Sequence, residues 1–216
     1  MKYAATAHTH TGRRENNEDV FLYMKDLFVV ADGIGGHASG EVASRMAANA
    51  IQEVIDKFYK LPVGKALQTA VALADQAIRK KAQEEEHRNM GTTVVAMFVK
   101  RNKAAIVHAG DSRCYRLRPQ GKLEQLTKDH SNGSNIIHRS LGCTRAETGD
   151  LQELTVAVGD VFLLCSDGLN VLPNAKVEEI LRRGGVAEDL VNAAVALDVE
   201  GQDNVTAIVM RVTKGK

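Results

Sequence analysis

The spacing of apolar and polar positions changes several times along the chain, and each change marks an element. Short apolar runs at Tyr3–Thr9, Val20–Tyr23 and Leu27–Ala31 predict three strands, the last ended by Asp32-Gly33. From Glu41 to Tyr59 the apolar residues Val42, Met46, Ala50, Val54 and Phe58 recur at every fourth position, which predicts a helix with that stripe facing inward. Ser39 stands where a helix cap would stand. A second helix is predicted from about Gly64 to Arg88, with Leu67, Val71, Ala74 and Ile78 on one face. The tight Leu61-Pro62-Val63-Gly64 connection makes the two helices antiparallel. Strand character then returns at Thr92–Val99, Ala104–Ala109, Cys114–Leu117 and Lys122–Leu126, which predict a β-meander. After the polar stretch Thr127–Ser134 come strands at Leu151–Val156 and Val161–Cys165, helices at about Ala175–Arg183 and Ala187–Val199, and a last strand at Val205–Val212. Strands in runs with two pairs of helices give an α+β layout, and the lack of strict alternation argues against a parallel doubly wound sheet.

Composition narrows the function classes. The 216 residues suit one domain, and 44% hydrophobic with 25% charged residues is enough for a core without disulfides or a structural metal. The net charge is +1 and there is no Trp, which argues against a nucleic-acid partner, an acidic membrane surface and base stacking. Cys114, Cys143 and Cys165 share no CxxC spacing, and an odd number of cysteines suits a reducing compartment. The first residues carry no apolar signal region, and no segment approaches the ~20 apolar residues of a membrane span. The expectation is a cytoplasmic protein. The run Lys80-Lys81-Ala82-Gln83-Glu84-Glu85-Glu86 reads as a solvated helix end with Lys80–Glu84 and Lys81–Glu85 pairs.

The candidate chemistry lies at the strand ends. Apolar strands run into an aspartate at Ala31-Asp32-Gly33, Ala109-Gly110-Asp111-Ser112 and Ser166-Asp167-Gly168. Asn17-Glu18-Asp19 and Gln202-Asp203-Asn204 directly precede strands. Any one of these is an ordinary turn signal. Together they bring several carboxylates to one place, where they repel unless protonated or neutralised by a cation. An all-oxygen set favours hard ions such as Mg²⁺ or Mn²⁺ and disfavours zinc. Two such ions can aim a water at phosphorus, and an arginine such as Arg13 or Arg14, just before the first acidic pair, can hold the phosphate oxygens. The alternatives fit poorly. No Cys-x5-Arg loop and no Gly-x4-Gly-Lys-Ser/Thr loop is present, and the Gly33-x-Gly35-x-x-Ala38 match to a dinucleotide fingerprint lacks its second strand. His8 and His10 share a strand face without a third ligand.

The residues Arg14-x-x-Asn17-Glu18-Asp19, Ala31-Asp32-Gly33-Ile34-Gly35-Gly36-His37, Gly91-Thr92-Thr93, Gly110-Asp111-Ser112-Arg113, Asp129-His130-Ser131, Ser166-Asp167-Gly168-Leu169 and Asp203-Asn204-Val205-Thr206 occur in that order. The chain closely resembles the bacterial form of the PPM-type (type-2C) metal-dependent Ser/Thr protein phosphatases over nearly its whole length. The resemblance implies a four-layer αββα sandwich of two antiparallel sheets flanked by helix pairs, with 1–216 forming one catalytic domain. It implies that Asp32 bridges two Mn²⁺ or Mg²⁺ ions, that Asp167 and Asp203 complete the first and that the Gly33 carbonyl serves the second. Asp19 and Glu18 would hold mainly the surrounding waters, Asp111 with Asp167 a weaker third ion, and Arg14 the phosphate. A metal-bridging water would be the nucleophile, and His37 and His130 would be supporting residues. The implied partners are phosphorylated proteins and a cognate Ser/Thr kinase, the implied state is a monomer, and the alternative is a pseudophosphatase that keeps the fold as a binding module. Two departures stand out. Ile34 occupies the position where some members carry a histidine, and the flap subdomain is nearly absent around 131–136, which predicts a more open cleft.

Overall fold

Eleven strands and four helices are built by the residues described in the computed structural model, which are 1–35, 39–132, 136–142 and 149–215. In chain order they are β1 (Lys2–His10), β2 (Asp19–Tyr23), β3 (Leu27–Ile34), α1 (Ser39–Phe58), α2 (Val63–Lys81), β4 (Gly91–Thr92), β5 (Val94–Lys100), β6 (Lys103–Ala109), β7 (Arg113–Leu117), β8 (Leu123–Gln125), β9 (Asp150–Thr155), β10 (Val161–Cys165), α3 (Asn174–Arg182), α4 (Ala187–Val195) and β11 (Val205–Thr213). One sheet has the order β1-β11-β10-β7-β8 and the other β2-β3-β5-β6-β9, with β4 alongside β3. Every pairing is antiparallel.

Side-chain alternation divides the molecule into layers. Phe28, Val30, Met97 and Ile106 of one sheet meet Phe162, Leu164, Ile208 and Met210 of the other between the sheets. The opposite faces are covered by helices, with Val29, Ala31, Ala96 and Phe98 under α1 and α2, and Leu163, Cys165, Ala207 and Val209 under α3 and α4. The result is α+β with the expected four layers: helices, sheet, sheet, helices. No helix is long and apolar enough to cross a membrane among the described residues.

Several expectations are corrected. The meander is divided between the sheets: β5 and β6 lie in one, β7 and β8 in the other, and Gly110-Asp111-Ser112 carries the chain across. The helix α1 buries Ala43, Ala47, Ile51, Val54 and Ile55, whereas Val42, Met46 and Ala50 are half-buried and Phe58 is exposed. Steps of four residues overshoot a 3.6-residue turn by about 40° each, so an every-fourth stripe drifts off the buried face, which follows mixed steps of three and four. The predicted stripe of α2 is buried as expected, but the helix ends at Lys81. Basic Arg79, Lys80 and Lys81 suit a helix C-terminus, and acidic Glu84, Glu85 and Glu86 would oppose its dipole. Lys81 therefore pairs with Glu84 at 2.5 Å, three residues on, in place of the expected pairs four apart. The helix α4 ends at Val195, where the side chain of Gln202 donates to Ala194 O at 2.9 Å. Ser39 does not act as expected for a cap, since its hydroxyl donates to Glu86 O at 3.3 Å. Cys114 and Cys165 are buried and unpaired, while Cys143 and the supporting-residue reading of His37 lie outside the described residues.

Candidate active site

Both sheets feed one cleft. β2 and β3 place Asp19 directly opposite Asp32 in register. From the other sheet, Asp167 follows β10 and Asp203 precedes β11. Asp111 arrives on the crossing between β6 and β7. Asp32, Gly33, Asp111, Asp167 and Asp203 line a cleft of about 610 Å³, with Arg14, Glu18, Ile34 and Ile137 among its other walls. Asp19 lies behind Asp32, enclosed by Ser166, whose hydroxyl donates to Asp19 Oδ2 at 2.7 Å.

The backbone around these acids is held by buried polar groups. The Asp32 amide donates to Thr93 Oγ1 at 3.1 Å and its carbonyl accepts from Thr93 N and Thr92 Oγ1, both at 2.8 Å. Thr93 Oγ1 also meets Ser112 Oγ at 2.7 Å, beside Asp111. Asn204 ties the loop before β2 to the strand after Asp203. Its side chain accepts from Glu18 N at 2.8 Å and donates to Thr11 O at 2.8 Å and Asn16 O at 3.0 Å. At Gly33 a Cβ would lie 2.4 Å from the Gly40 carbonyl, so only glycine lets the end of β3 approach the start of α1. These hydroxyls and Asn204 fall within the quoted motifs, yet no role is legible for them in the sequence. Ser, Thr and Asn carry no periodicity that separates a buried brace from a turn.

The cleft is electrostatically unsettled on its own. Asp32 is held well above the usual carboxylate range, by burial first and then by Asp19, Asp167, Asp203 and Asp111. Burial and then Asp111, Asp203 and Asp19 push Asp167 up to about 7. Burial pushes Asp19 up to about 6, against hydrogen bonds from Thr206 and Ser166 that act to lower it. Burial likewise raises Asp111 and Glu18. Arg14, on the rim, donates to Asp203 Oδ2 at 2.7 Å, and that bond raises its own pKa.

The donor set fits a hard cation. Asp19 Oδ1, Asp111 Oδ1 and Asp167 Oδ1 are buried with no hydrogen-bond partner, an arrangement that repulsion forbids unless protons or cations fill it. No three of the cleft carboxylates offer oxygens that all lie within 4.8 Å of one another. A tighter group of His108, His130 and Asp150 lies nearby. It is already satisfied: His130 Nε2 meets Asp150 at 3.2 Å, Arg139 donates to the same carboxylate at 2.6 Å, and the His108 and His130 rings stack nearly parallel. His130 also anchors the crossing, with its ring Nδ1 accepting from Gly110 N at 3.2 Å and its amide donating to Gly110 O at 3.0 Å.

The flap expectation falls partly outside the described residues, since 133–135 are not among them. On either side, Ser131 bridges Ile137 and the His138 amide donates to His130 O at 3.0 Å, so the strands of chain leaving and returning are adjacent.

Comparison with known proteins places this geometry. A serine/threonine protein phosphatase of Mycobacterium tuberculosis, PstP, is 34% identical over 98% of this chain, and the chain spans 45% of that relative's length. A serine/threonine phosphatase of Listeria innocua, stp, is 32% identical over 94% of this chain and 93% of its own. The crystal structure of the catalytic domain of PstP in complex with two manganese ions superposes with a TM-score of 0.87, at 33% identity and covering 99% of each chain. The sequence profile of the family described as Protein phosphatase 2C matches residues 6–198, and on that match and these relatives the chain belongs to that family.

Proposed function

We propose that this chain is a metal-dependent phosphatase that hydrolyses phosphoserine and phosphothreonine in proteins and so opposes Ser/Thr kinases. The observation that carries this is the meeting of Asp19, Asp32, Asp111, Asp167 and Asp203 from both sheets, with orphaned oxygens and with Arg14 on the rim. Mn²⁺ or Mg²⁺ ions held here supply positive charge to the phosphate and acidify a water at neutral pH. Asp32, against which both Asp19 and Asp167 lie, is the candidate shared ligand. Asp167 and Asp203 are the candidate ligands of the first ion and Gly33, through its carbonyl, of the second. Asp19 and Glu18 would hold the surrounding waters, and Asp111 with Asp167 would form a weaker third position.

The chain's own groups bind and orient the substrate. Arg14 uses one guanidinium nitrogen on Asp203 and has further N–H donors for the outer phosphate oxygens. Asp203 thus fixes the arginine as well as a cation. Ile34 presents no proton donor at the cleft wall, so the leaving oxygen takes its proton from water or from an acid elsewhere in the cleft. The shortened flap leaves the cleft open to small aryl phosphates as well as phosphoproteins. The pseudophosphatase alternative would require loss of a carboxylate or of the clamp, and Arg14, Asp32, Asp167 and Asp203 all stand together in the cleft.

The test is phosphate release from a phosphothreonine peptide with Mn²⁺ and with EDTA, for the intact chain and for Asp167→Ala. Release should require Mn²⁺ and fall in the variant by more than the roughly 10–100-fold that loss of a supporting residue costs. Metal binding without release by the intact chain would overturn the reading.

A further inference from the structure

At the end of the sandwich remote from the acidic cleft, the space between the sheets is open. Phe21 and Tyr23 lie on one face of β2 with their rings stacked at 6.4 Å, and Phe21 packs on the inter-sheet core. Tyr23 shares that inward face yet is 45% exposed. Tyr3 and Ala5 of β1 and Phe28 of β3 also belong to the inter-sheet layer and line the same opening, a cavity of about 1110 Å³. Exposed Met24 and Tyr59 extend its apolar wall. β1 and β2 are edge strands of different sheets, so among the described residues no strand covers the opening on this side, and only the Tyr3 hydroxyl, which donates to Arg101 O, ties β1 to the turn after β5 there.

The rim is cationic. Lys2, Lys25, Lys100 and Arg101 border the cavity, and its one acidic residue, Asp26, already accepts a hydrogen bond from the Tyr59 hydroxyl at 2.8 Å. An adjoining depression shares Lys100 and Arg101 and adds Lys60 and Lys103. Its acid, Glu153, accepts from Gly64 N at 3.2 Å. In a chain of net charge +1, this gathering is a local excess. Arg101 sits at the turn between β5 and β6 with φ +58°, where a non-glycine residue costs roughly 1 kcal/mol. A long cation thus stands at a tip where glycine would be unstrained.

We infer that this furrow docks an extended acidic segment, bearing one bulky apolar side chain, of the phosphoprotein substrate. The inference rests on the phosphatase reading above. The apolar side chain packs at the mouth against exposed Tyr23, Met24 and Tyr59, above the buried Phe28, and the flanking carboxylates meet Lys25, Lys100 and Arg101. β3 joins the two places, since Phe28 lines the furrow and Asp32 the cleft. Four residues of strand at about 3.4 Å each make the separation roughly 14 Å. A substrate following the β1–β2 edge therefore needs at least about four or five residues between its phosphorylated residue and its docking segment.

The experiment uses the full chain and a Lys25→Glu, Arg101→Glu double variant. Both side chains are exposed and outside the cleft, so aryl phosphate turnover should be unchanged. The first probe is a fluorescent, unphosphorylated peptide of aspartates around one phenylalanine, read by anisotropy. The expected result is binding to the wild type that weakens at least tenfold in the variant. The second probe is a phosphothreonine peptide with or without that segment six residues away. The segment should lower KM at least fivefold for the wild type and give no advantage in the variant. Equal peptide binding by both proteins, or no KM difference while aryl phosphate turnover is intact, would overturn the docking site. So would burial of the furrow by self-association in sedimentation, or binding of anionic vesicles without peptide binding. Absence of aryl phosphate turnover in the wild type would instead count against the phosphatase reading, and anisotropy alone would then decide the furrow.

Discussion

Asn204 shows how much of the cleft depends on buried side chains that brace its backbone. Its one amide satisfies Glu18 N, Thr11 O and Asn16 O, so it sets the loop carrying Arg14, Glu18 and Asp19 against the strand that follows Asp203. Asn204→Ala leaves these partly buried groups unpaired and should cost about 2–4 kcal/mol. For a chain of this size that is a fall in Tm of roughly 5–15 °C. Calorimetry checks it, and Mn²⁺ affinity measured on the same variant should drop with it. A mere turn residue would give neither effect. The acids themselves were legible from sequence because an aspartate directly at a strand end is a pattern, repeated at Asp32, Asp111 and Asp167. Their supports Thr93, Ser166 and Asn204 were not, because a hydroxyl or amide becomes a brace only through residues far away in the chain, as with the 147 positions that separate Ser166 from Asp19.

At the scale of elements, the crossing between β6 and β7 is a tightly constrained piece of backbone. Gly110 has φ +106°, and a Cβ there would lie 2.6 Å from both Cβ and Cγ2 of Thr93. His130 grips the same residue through backbone and ring. Gly110→Ala should therefore destabilise by at least about 2 kcal/mol, since strain and overpacking act together, and should displace Asp111. Urea unfolding reads the first effect. If Asp111 serves a third ion as proposed, weakened binding of a third Mn²⁺ equivalent with the first two retained reads the second. The sequence showed strands on both sides of this point but not that they belong to different sheets, because pairing partners are a long-range choice that local pattern does not encode. The face of α1 was misread for a geometric reason. The every-fourth-residue stripe from Val42 to Phe58 drifts about 40° around the helix at each step, whereas the buried face follows Ala43, Ala47, Ile51, Val54 and Ile55. The stripe of α2, where large and buried coincide, was read correctly.

At the scale of the molecule, the acidic cluster opposes folding unless it is neutralised. Asp19 and Asp167 rise from an ordinary 3.8 to about 6 and about 7, so the folded state prefers them protonated. Stability from such groups is fully present below the unfolded value and is lost as pH rises through the folded value. The ion-free protein should therefore lose stability between pH 5 and pH 8. His130, held low by burial, works in the opposite direction over the acid part of that range. The discriminating measurement is the Tm gain on adding Mn²⁺. It should be larger at pH 8, where the carboxylates are free to ligate, than at pH 5, and Asp19→Asn should reduce the difference. An equal gain at both pH values would show that the cluster does not hold the ion.

The division of the acids between two sheets also bears on the order of assembly. Neither sheet with its covering helices contains the cleft: one brings Asp19 and Asp32, the other Asp167 and Asp203, and the chain between them brings Asp111. The cleft comes into being only when the layer containing Phe28, Phe162 and Met210 closes and sets the spacing of the sheets. Repacking that distant apolar layer is thus an adjustment of the carboxylate spacing, and the tolerance of the core to change is set by chemistry at the edge as well as by its own packing.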